Sequence, residues 1–198
     1  PLIRVINLML EIKLVLATHN LHKQKEMNSI LSSLGIHIVG LDKFPQIGDI
    51  EETGITLIEN AFIKAREVHK QTGLPSLADD TGLEIEALNG APGVYSARYA
   101  GPECIADDNI EKVLSELKMV KNRRAKFITV IALIINGEEF IFEGMCKGII
   151  TKERIGNDGF GYDPIFLPDA SNHTFAQMDN IEKGKISHRG IAVMKLLS

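Results

Sequence analysis

The segment that most constrains the fold is an apolar run in the second half of the chain. Phe127–Ile135 is apolar on both alternating faces, so it lacks the polar side that a half-exposed strand shows. Such a run is typical of a central strand that is covered on both sides. Asn136-Gly137 follows at once, and this dipeptide is a strong signal for a two-residue hairpin. Glu139–Met145 is therefore predicted to be the returning strand.

The first part of the chain alternates strand and helix patterns. Lys13–Thr18 predicts a short buried strand, and Ile36–Val39 predicts a second one. A helix is predicted between them because apolar residues recur there at i, i+3, i+4 and i+7, and Gly35 stands where a C-terminal cap belongs. The apolar residues of this helix are Met27, Ile30, Leu31 and Leu34.

Three further helices are predicted from their start signals. Thr56 and Glu59 form a capping box, and the helix that they open is predicted to reach Gly73. Asp108 predicts a similar start for a third helix, and the last helix is predicted to begin near Ser187. Strand–helix–strand units early in the chain and a hairpin late in the chain predict an α/β fold with a mixed sheet flanked by helices.

Two adjacent acids follow an apolar lead-in. Asp79 and Asp80 precede Thr81-Gly82, which predicts a buried strand that ends in the acids and then turns. Successive strand residues point to opposite faces, so the two acids are predicted to have separate roles. Carboxylate oxygens suit Mg²⁺, which proteins hold through one or two carboxylates plus substrate phosphates. The alternative is an Asx-turn with a solvated acid pair.

A polar segment lies between the first strand and the first helix. A strand-to-helix turn aims backbone N–H groups and the positive end of the helix dipole at one place, which favours an anion. The alternative is that Asn20 is only an N-cap and Lys23 a solvated lysine. The segment lacks the Gly-rich stretch of a P-loop, so a Walker-type NTPase is disfavoured. Its residues are Thr18, His19, Asn20, Leu21, His22 and Lys23.

A second acid pair, Glu51-Glu52, stands just before the capped helix. A lone acid pair near a helix start usually interacts with the helix dipole or with solvent. Its functional interpretation depends on a metal ion that is shared with Asp80.

A glycine-rich loop follows the hairpin. Gly156–Pro164 has the wrong glycine order for a dinucleotide fingerprint, and its final proline bars a helix from opening there. Glycines around Phe160 and Tyr162 suit a loop that stacks an aromatic ring on a flat base, and the alternative is a turn with a core Phe. Near the last helix, His188 and Arg189 are candidates to contact a phosphate or a base edge, against the alternative of a solvated helix start.

Composition narrows the class of protein. The chain has 198 residues, of which 44% are apolar and 24% charged, as in soluble globular enzymes. A net charge of −4 disfavours duplex nucleic acid as a partner. Cys104 and Cys146 form neither a metal-ligand spacing nor a disulfide framework, which predicts reduced thiols in a cytoplasmic protein. The apolar start of the chain is too short to span a bilayer, and residues 1–11 are predicted to be an extension or a start-site artefact.

Several motifs, taken in order, resemble one family. They are Thr18-x-Asn20-x-x-Lys23, Glu51-Glu52-Thr53-Gly54, Asp79-Asp80-Thr81-Gly82-Leu83, Gly90-Ala91-Pro92-Gly93-Val94-Tyr95-Ser96-Ala97-Arg98, Phe160-Gly161-Tyr162-Asp163-Pro164 and Ser187-His188-Arg189-Gly190. The set resembles the inosine/xanthosine triphosphate pyrophosphatases from about Leu14 to the C-terminus. The resemblance implies a homodimer in which residues 12–198 form a single domain, with an elongated mixed sheet, two lobes and a nucleotide cleft between them. It also implies Mg²⁺-dependent cleavage of ITP, dITP or XTP to the monophosphate and pyrophosphate.

The resemblance also implies roles for particular residues. Asp80 matches the proton acceptor that also meets Mg²⁺, and Glu51 matches a metal-ligand acid. His19 and His22 stand where the family often has glycine, a departure that bears on the backbone geometry of the phosphate turn. The residues implied to bind substrate are Thr18, His19, Asn20, Leu21, His22, Lys23, Thr81, Phe160, Gly161, Tyr162, Asp163, Lys183, His188 and Arg189. Secondary candidates are Glu52, Lys64 and Asp79.

The implied chemistry fits these residue types. Mg²⁺ with Lys23 and Lys183 is expected to stabilise the charge of a triphosphate, while a carboxylate near the metal orients and deprotonates water. Hydrogen bonds to a 6-oxo purine would reject adenine, whose amino group is left mispaired. Two rival functions are a pyrophosphatase for another modified nucleotide and a nucleotide-binding sensor without catalysis. Neither a nucleic-acid nor a membrane partner is expected.

Overall fold

The computed structural model describes residues 13–33 and 35–198, which form a mixed α/β fold. The strands are β1 (Leu14–Leu16), β2 (Ile38–Gly40), β3 (Ser76–Ile85), β4 (Pro92–Gly93), β5 (Arg124–Ile135), β6 (Glu138–Ile150) and β7 (Phe166–Pro168). The helices are α1 (Leu21–Ser32), α2 (Leu57–Thr72), α3 (Ala106–Glu116), α4 (Asn180–Ile186) and α5 (His188–Leu196). The predicted α/β class is confirmed. The predicted extension over residues 1–11, and Leu34 of the first helical pattern, lie outside the described residues.

The strands of this described part form one sheet. The strand order is β2-β1-β3-β5-β6-β7, and β4 pairs with β3. β1 runs parallel to β2 and β3, whereas the pairs β3–β4 and β6–β7 are antiparallel. Contacts divide the described residues into two compact units. The first unit holds the described residues up to Asp80 with Thr129–Gly144 and Arg189–Ser198, and the second holds Thr81–Ile128 and Met145–His188. The nucleotide cleft stays a prediction.

The first unit buries both faces of its strands. In β1, Leu14 and Leu16 belong to one apolar layer, and Val15 and the following Ala17 belong to another, as strand geometry requires. The first layer includes side chains from α1 and α5, and the second includes side chains from α2. The first unit's part of β5 divides in the same way, with Ile131, Leu133 and Ile135 in the first layer and Val130, Ala132 and Ile134 in the second. The prediction of a doubly covered central strand is confirmed.

The second unit has its own core. Leu83 and Ile85, from the second half of β3, pack with the apolar face of α3. The ring of Phe127 lies 4.7 Å from the ring of Phe166 between centroids, in an edge-on arrangement that aromatic pairs favour. Burying each such side chain stabilises the fold by about 1.5–3 kcal/mol.

Local sequence signals identify two features correctly. The hydroxyl of Thr56 accepts from the N–H of Glu59, whose carboxylate bonds back to the cap, so the capping box that opens α2 is confirmed. The helix ends at Gly73, in the left-handed conformation that favours glycine. Asn136 and Gly137 both have positive φ angles, 54° and 78°, as a tight hairpin turn requires.

The strand that carries the acid pair is longer than predicted. β3 does not turn after Asp80 but continues through Thr81 to Ile85. Its second half is buried in the core of the second unit, and Leu83 pairs with Gly93 of β4. Burial and pairing with residues distant in sequence therefore outweigh the turn preference of Thr-Gly. β6 likewise extends beyond its predicted end, to Ile150.

One helix boundary differs from the predictions and one helix was not predicted, whereas the predicted start of the last helix near Ser187 is confirmed by α5. α3 begins at Ala106, so Asp107 and Asp108 occupy its first turn rather than capping it, and acids there interact favourably with the helix dipole. The C-terminal segment contains α4 as well as α5. Asp179 caps α4 by accepting two backbone N–H groups, and the extended conformation of Ser187 separates the two helices.

Candidate active site

The pleat of β3 directs the two adjacent acids to different partners. Asp79 contacts side chains of α1 and α5, which cover one face of the first unit. Asp80 contacts Lys64 of α2, which covers the other face. The prediction that the acids have separate roles is consistent with these separate partners. The alternative of a solvated acid pair is wrong, because Asp79 is 1% exposed and Asp80 6% exposed.

Asp80 belongs to a carboxylate–ammonium–carboxylate arrangement. The Lys64 Nζ atom lies 2.8 Å from Asp80 Oδ1 and 2.9 Å from Glu52 Oε1. The side chains of Lys64 and Asp80 are both buried, whereas Glu52 is partly exposed. The arrangement carries two negative charges and one positive charge, so it retains net negative charge that favours a further cation.

The segment that carries Glu52 is held against the start of α2. The Asn60 side-chain oxygen accepts from the N–H of Gly54 at 2.8 Å, and Asn60 is fully buried. A Cβ atom at Gly54 would stand 2.6 Å from that same oxygen, so only glycine fits this close approach. The capping box at Thr56 holds the following turn. These contacts hold the backbone that follows Glu52 against the start of α2, the helix that carries Lys64.

The electrostatics of this cluster favour a basic Asp80. Burial raises the pKa of the Asp80 carboxyl, Glu52 raises it further, and Lys64 and Lys23 oppose the rise without cancelling it. For Lys64, burial lowers the pKa of the ammonium, but attraction to Asp80 and Glu52 outweighs burial and the net pKa is raised. A carboxylate whose pKa is raised holds a proton more readily, which suits a proton acceptor.

Glu51, the predicted metal-ligand acid, occupies a different place from Glu52. Its side chain is exposed, and it lines a cavity of about 320 Å³ together with neighbouring loop and α2 residues. The other residues of that cavity are Gly48, Asp49, Ile50, Ile63, Glu67 and Gln71. Among the described residues, no group of three or more Asp, Glu, His and Cys side chains is clustered closely enough to hold a metal ion. The assignment of Glu51 as a ligand stays a prediction.

Asp79 is the centre of a buried ionic network. Its Oδ2 atom lies 2.9 Å from Arg189 Nη2 and 3.2 Å from Lys23 Nζ. Arg189 also forms a short contact through Nη1 with Glu26 of α1. Burial alone would raise the pKa of Asp79, but the charges of Lys23 and Arg189 hold that pKa well below its usual range. Glu26 was not among the predicted site residues, because its partner Arg189 lies 163 positions away in the chain and no local spacing joins the two.

The predicted phosphate turn forms the start of α1. Asn20 is its N-cap, with its side-chain oxygen accepting from the N–H groups of His22 and Lys23 at 3.0 and 3.1 Å. The Asn20 N–H donates to the hydroxyl of Thr18, and His19 Nε2 lies 3.3 Å from the carbonyl of Gly48. The adjoining Leu21 side chain is 66% exposed. The N-cap alternative is thus observed for Asn20, whereas Lys23 is not simply solvated, because it contacts Asp79.

The second unit holds the predicted base-binding residues around another buried carboxylate. Asp163 Oδ2 accepts from the Phe160 N–H at 2.7 Å and from Lys183 Nζ at 2.6 Å. The Lys183 ammonium also lies 4.9 Å from the Phe160 ring centroid, within cation–π range. The Tyr162 hydroxyl donates to the Ser96 carbonyl, which makes Tyr162 a structural anchor of the loop. Gly161 adopts a positive φ of 57°.

His188 and Thr81 complete the predicted set in the second unit. The His188 ring stacks on Phe127, with centroids 4.5 Å apart and planes inclined by 18°. His188 is 3% exposed, so the alternative of a solvated helix start is wrong for this residue. Thr81 is half-buried directly after Asp80 in β3. The first unit therefore holds the Asp79 network and, separately, the Asp80–Lys64–Glu52 arrangement, and the second unit holds the residues around Asp163 together with His188.

The comparisons with known proteins agree with these motifs. The model of the Ham1 family matches residues 14–198. A dITP/XTP pyrophosphatase of Christiangramia forsetii is 51% identical over 185 residues, which cover 93% of this chain and 97% of the relative. A dITP/XTP pyrophosphatase of Porphyromonas gingivalis is 50% identical, with 93% and 95% covered. The structure of a HAM1 protein from Coxiella burnetii superposes with a TM-score of 0.83 at 46% identity, and covers 94% of this chain and 96% of that one. The chain therefore belongs to the Ham1 family.

Proposed function

We propose that this protein hydrolyses non-canonical purine nucleoside triphosphates, namely ITP, dITP and XTP, to the monophosphate and pyrophosphate. The observation that carries the proposal is the buried Asp80–Lys64–Glu52 arrangement, in a chain about half identical to relatives that are named dITP/XTP pyrophosphatases. A buried carboxylate with a raised pKa beside a lysine supplies a proton acceptor next to a site for anionic phosphates. The proposed role of the enzyme is to cleanse the nucleotide pool.

The donor chemistry of this cluster fits Mg²⁺. Asp80 and an acid of the Glu51–Glu52 pair supply hard oxygen ligands, and Mg²⁺ commonly uses one or two carboxylates with substrate phosphates. Of the two acids, Glu52 shares Lys64 with Asp80, and Glu51 remains the ligand that the family resemblance implies. The ion would neutralise charge on the phosphates while the anhydride bond breaks.

Asp80 is proposed to take the proton of the attacking water. The new P–O bond forms from that water, the bond to the pyrophosphate group breaks, and the proton moves to the Asp80 carboxylate. Burial favours this transfer because it raises the pKa of Asp80. In the structure, the Lys64 Nζ atom lies 2.8 Å from the Asp80 Oδ1 atom. Lys23 and Lys183 are proposed to contact phosphate groups.

Base recognition is proposed to divide between stacking and hydrogen bonding. Phe160 stacks on the purine, a contact worth roughly 1–3 kcal/mol that every base can make. Arg189 and His188 are proposed to read the 6-oxo edge, because guanidinium donors fit purine O6 and N7 acceptors and oppose the adenine amino group. Phe160→Ala is expected to raise KM for ITP and for residual ATP in the same proportion.

The Arg189→Ala variant tests the hydrogen-bonding part of this division. It is expected to reduce kcat/KM for ITP far more than for ATP. Because Arg189 also contacts Asp79 and Glu26, the variant needs a parallel check of folded fraction. An unchanged ITP-to-ATP ratio in folded protein would make Arg189 a structural residue and assign base recognition elsewhere.

The assembly and environment of the protein are also proposals. We expect a two-fold symmetric homodimer in the cytoplasm, with no nucleic-acid or membrane partner. Within residues 13–33 and 35–198, none of the helices combines the length and the apolar character that crossing a membrane requires. Sedimentation is expected to give the mass of a dimer at micromolar concentration, and a monomer there would contradict the proposed assembly.

A pyrophosphate-release screen separates the proposed function from its rivals. ITP, dITP, XTP and the canonical triphosphates are tested with and without Mg²⁺, together with modified pyrimidine triphosphates. Release from the 6-oxo purine nucleotides, dependent on Mg²⁺, is expected. Release from other modified nucleotides alone would favour the rival pyrophosphatase, and binding of ITP without any release would favour a sensor.

A further inference from the structure

The Lys64 ammonium occupies the space between two carboxylates. It lies 2.8 Å from Asp80 Oδ1 and 2.9 Å from Glu52 Oε1. A cation that bridged these two carboxylates would place its charge in the same space. Positive charges at such short distances repel one another strongly wherever water is partly excluded, and the Lys64 and Asp80 side chains are each 8% exposed.

The local structure keeps this arrangement in place. Lys64 follows one turn after Ala61 and directly precedes Ala65, both of which are fully buried in the layer beneath α2. Glu52 is tethered through Gly54, whose N–H donates to the buried Asn60 side chain. Glu52 therefore cannot withdraw without disturbing the start of α2, and Asp80 belongs to the buried part of β3. Only the flexible end of the Lys64 side chain is free to move to another anionic partner.

We propose that Lys64 is a resident counter-ion that competes with a divalent cation for the Asp80–Glu52 pair. This inference rests on the proposed function, because the triphosphate supplies the alternative partner for the ammonium. Without nucleotide, Lys64 neutralises part of the negative charge and keeps cation affinity low. When phosphate oxygens attract the ammonium, the carboxylates become available to the cation. Nucleotide and cation therefore reinforce each other's binding, as linkage between two sites requires.

The test measures Mn²⁺ binding to the full chain without nucleotide, by electron paramagnetic resonance of the free ion. Lys64→Gln removes the competing charge and is expected to bind Mn²⁺ at least about tenfold more tightly than the wild type, since a unit charge is removed from within a few ångströms of a divalent ion. Lys64→Met, which keeps an apolar stem, is a second neutral variant in case the first folds poorly. Lys64→Arg keeps the charge and is expected to stay close to the wild type.

Lys70→Gln is the matched control. Lys70 belongs to the same helix, but its side chain is 80% exposed and its nearest carboxylate, on Glu67, is 4.0 Å away. This variant removes the same charge from the surface and is expected to leave Mn²⁺ affinity unchanged. If Lys70→Gln increased Mn²⁺ affinity as much as Lys64→Gln does, the effect would come from net charge and not from the position of Lys64. That result would overturn the proposal.

Two further variants identify the acid that the lysine shields. In the Lys64→Gln background, Glu52→Gln is expected to abolish the gain in Mn²⁺ affinity. Glu51→Gln is expected to preserve that gain, because Glu51 makes none of the contacts described for the lysine. The opposite result would overturn the assignment of Glu52 to the shielded pair. In that result, Glu51→Gln abolishes the gain in Mn²⁺ affinity and Glu52→Gln preserves it.

The outcomes separate this inference from the proposed function. If the wild type releases pyrophosphate from ITP but neither neutral variant binds Mn²⁺ more tightly, the competition is refuted and the function stands. If the neutral variants gain affinity but the wild type releases pyrophosphate from none of the nucleotides, the competition stands and the proposed function is refuted.

Discussion

Replacing Asp79 by asparagine should destabilise the protein more than any change on its surface. The side chain has almost the same shape, but Asp79→Asn removes a negative charge from a buried network. Asp79 and Glu26 balance Arg189 and Lys23 in that network, and Asp79 and Arg189 are each 1% exposed. After the substitution, the buried Arg189 keeps its contact with Glu26, and the half-buried Lys23 loses the carboxylate that it contacts.

The expected loss follows from the cost of an uncompensated buried charge. Breaking a buried ion pair by removing one partner costs about 3–5 kcal/mol. We expect about 3 kcal/mol here, because asparagine retains one oxygen that can accept from Arg189. A loss of this size is a large part of the roughly 5–15 kcal/mol by which domains are stable. Urea unfolding at pH 7, followed by circular dichroism, measures it as a lower transition midpoint with an unchanged slope.

Asp169→Asn is the control for a surface ion pair. Asp169 forms two hydrogen bonds with Arg124, but both side chains are close to half exposed. Exposed pairs contribute about 0–1 kcal/mol. If Asp79→Asn cost no more than Asp169→Asn, the network around Asp79 would not be electrostatically essential and the reasoning would be refuted.

A double variant separates charge from packing. Adding Lys23→Met to Asp79→Asn removes one cation as well, so Arg189 and Glu26 remain as a balanced pair. The double variant is expected to be more stable than Asp79→Asn alone, a coupling that appears when two changes share one network. Additive losses would instead indicate that packing, not charge, is responsible.

The same network predicts how stability depends on pH. Burial alone would raise the pKa of Asp79, but Lys23 and Arg189 hold it well below the usual range. A carboxyl with a lowered folded-state pKa contributes stability above its unfolded value of about 3.9, and loses it as pH falls toward the folded value. The stability difference between wild type and Asp79→Asn should therefore be constant from about pH 5 to 8 and shrink below about pH 4.

Three further perturbations test separate parts of the structure. In Gly159→Ala, the new Cβ would lie 2.2 Å from the Asp163 carboxylate at a φ of 76°, so a loss of roughly 1–3 kcal/mol in urea unfolding and a higher KM for ITP are expected. In a thiol titration at pH 8, exposed Cys104 should react rapidly, whereas Cys146 should react only on unfolding, because burial raises the pKa of its thiol to about 11 and leaves about 0.1% thiolate. Thr56→Ala should lower the free energy of unfolding by about 1 kcal/mol through loss of the cap, as measured in urea.

Local signals in the sequence account for most of the helices and the hairpin. The capping box at Thr56 and the left-handed pair Asn136-Gly137 depend on neighbouring residues alone, so a reading of the sequence can identify them. The path of β3 beyond Asp80 depends on burial in a core built from distant segments. α4 has only seven residues, too few to show helical periodicity.

The site shows the same division between local and distant information. The residue types predict a magnesium site at Asp79-Asp80 and an anion site at Lys23, but the partners of these side chains cannot be predicted from spacing. Arg189 lies 110 positions from Asp79 in the chain and 163 from Glu26. Glu52, and not Glu51, contacts Lys64. This choice depends on how the segment before α2 is anchored, and no periodicity in the sequence predicts that anchoring.

Turnover by Asp80→Asn tests the central claim most directly. Wild type and variant are assayed for release of pyrophosphate and the monophosphate from ITP with Mg²⁺, with Asp108→Asn on the exposed part of α3 as a matched control. ITP binding is measured in parallel by calorimetry. We predict that Asp80→Asn lowers kcat by about 10²–10⁴-fold while ITP binding largely survives, because the variant loses the proton acceptor. Near-normal turnover in Asp80→Asn would show that another group accepts the proton and would contradict the proposed mechanism.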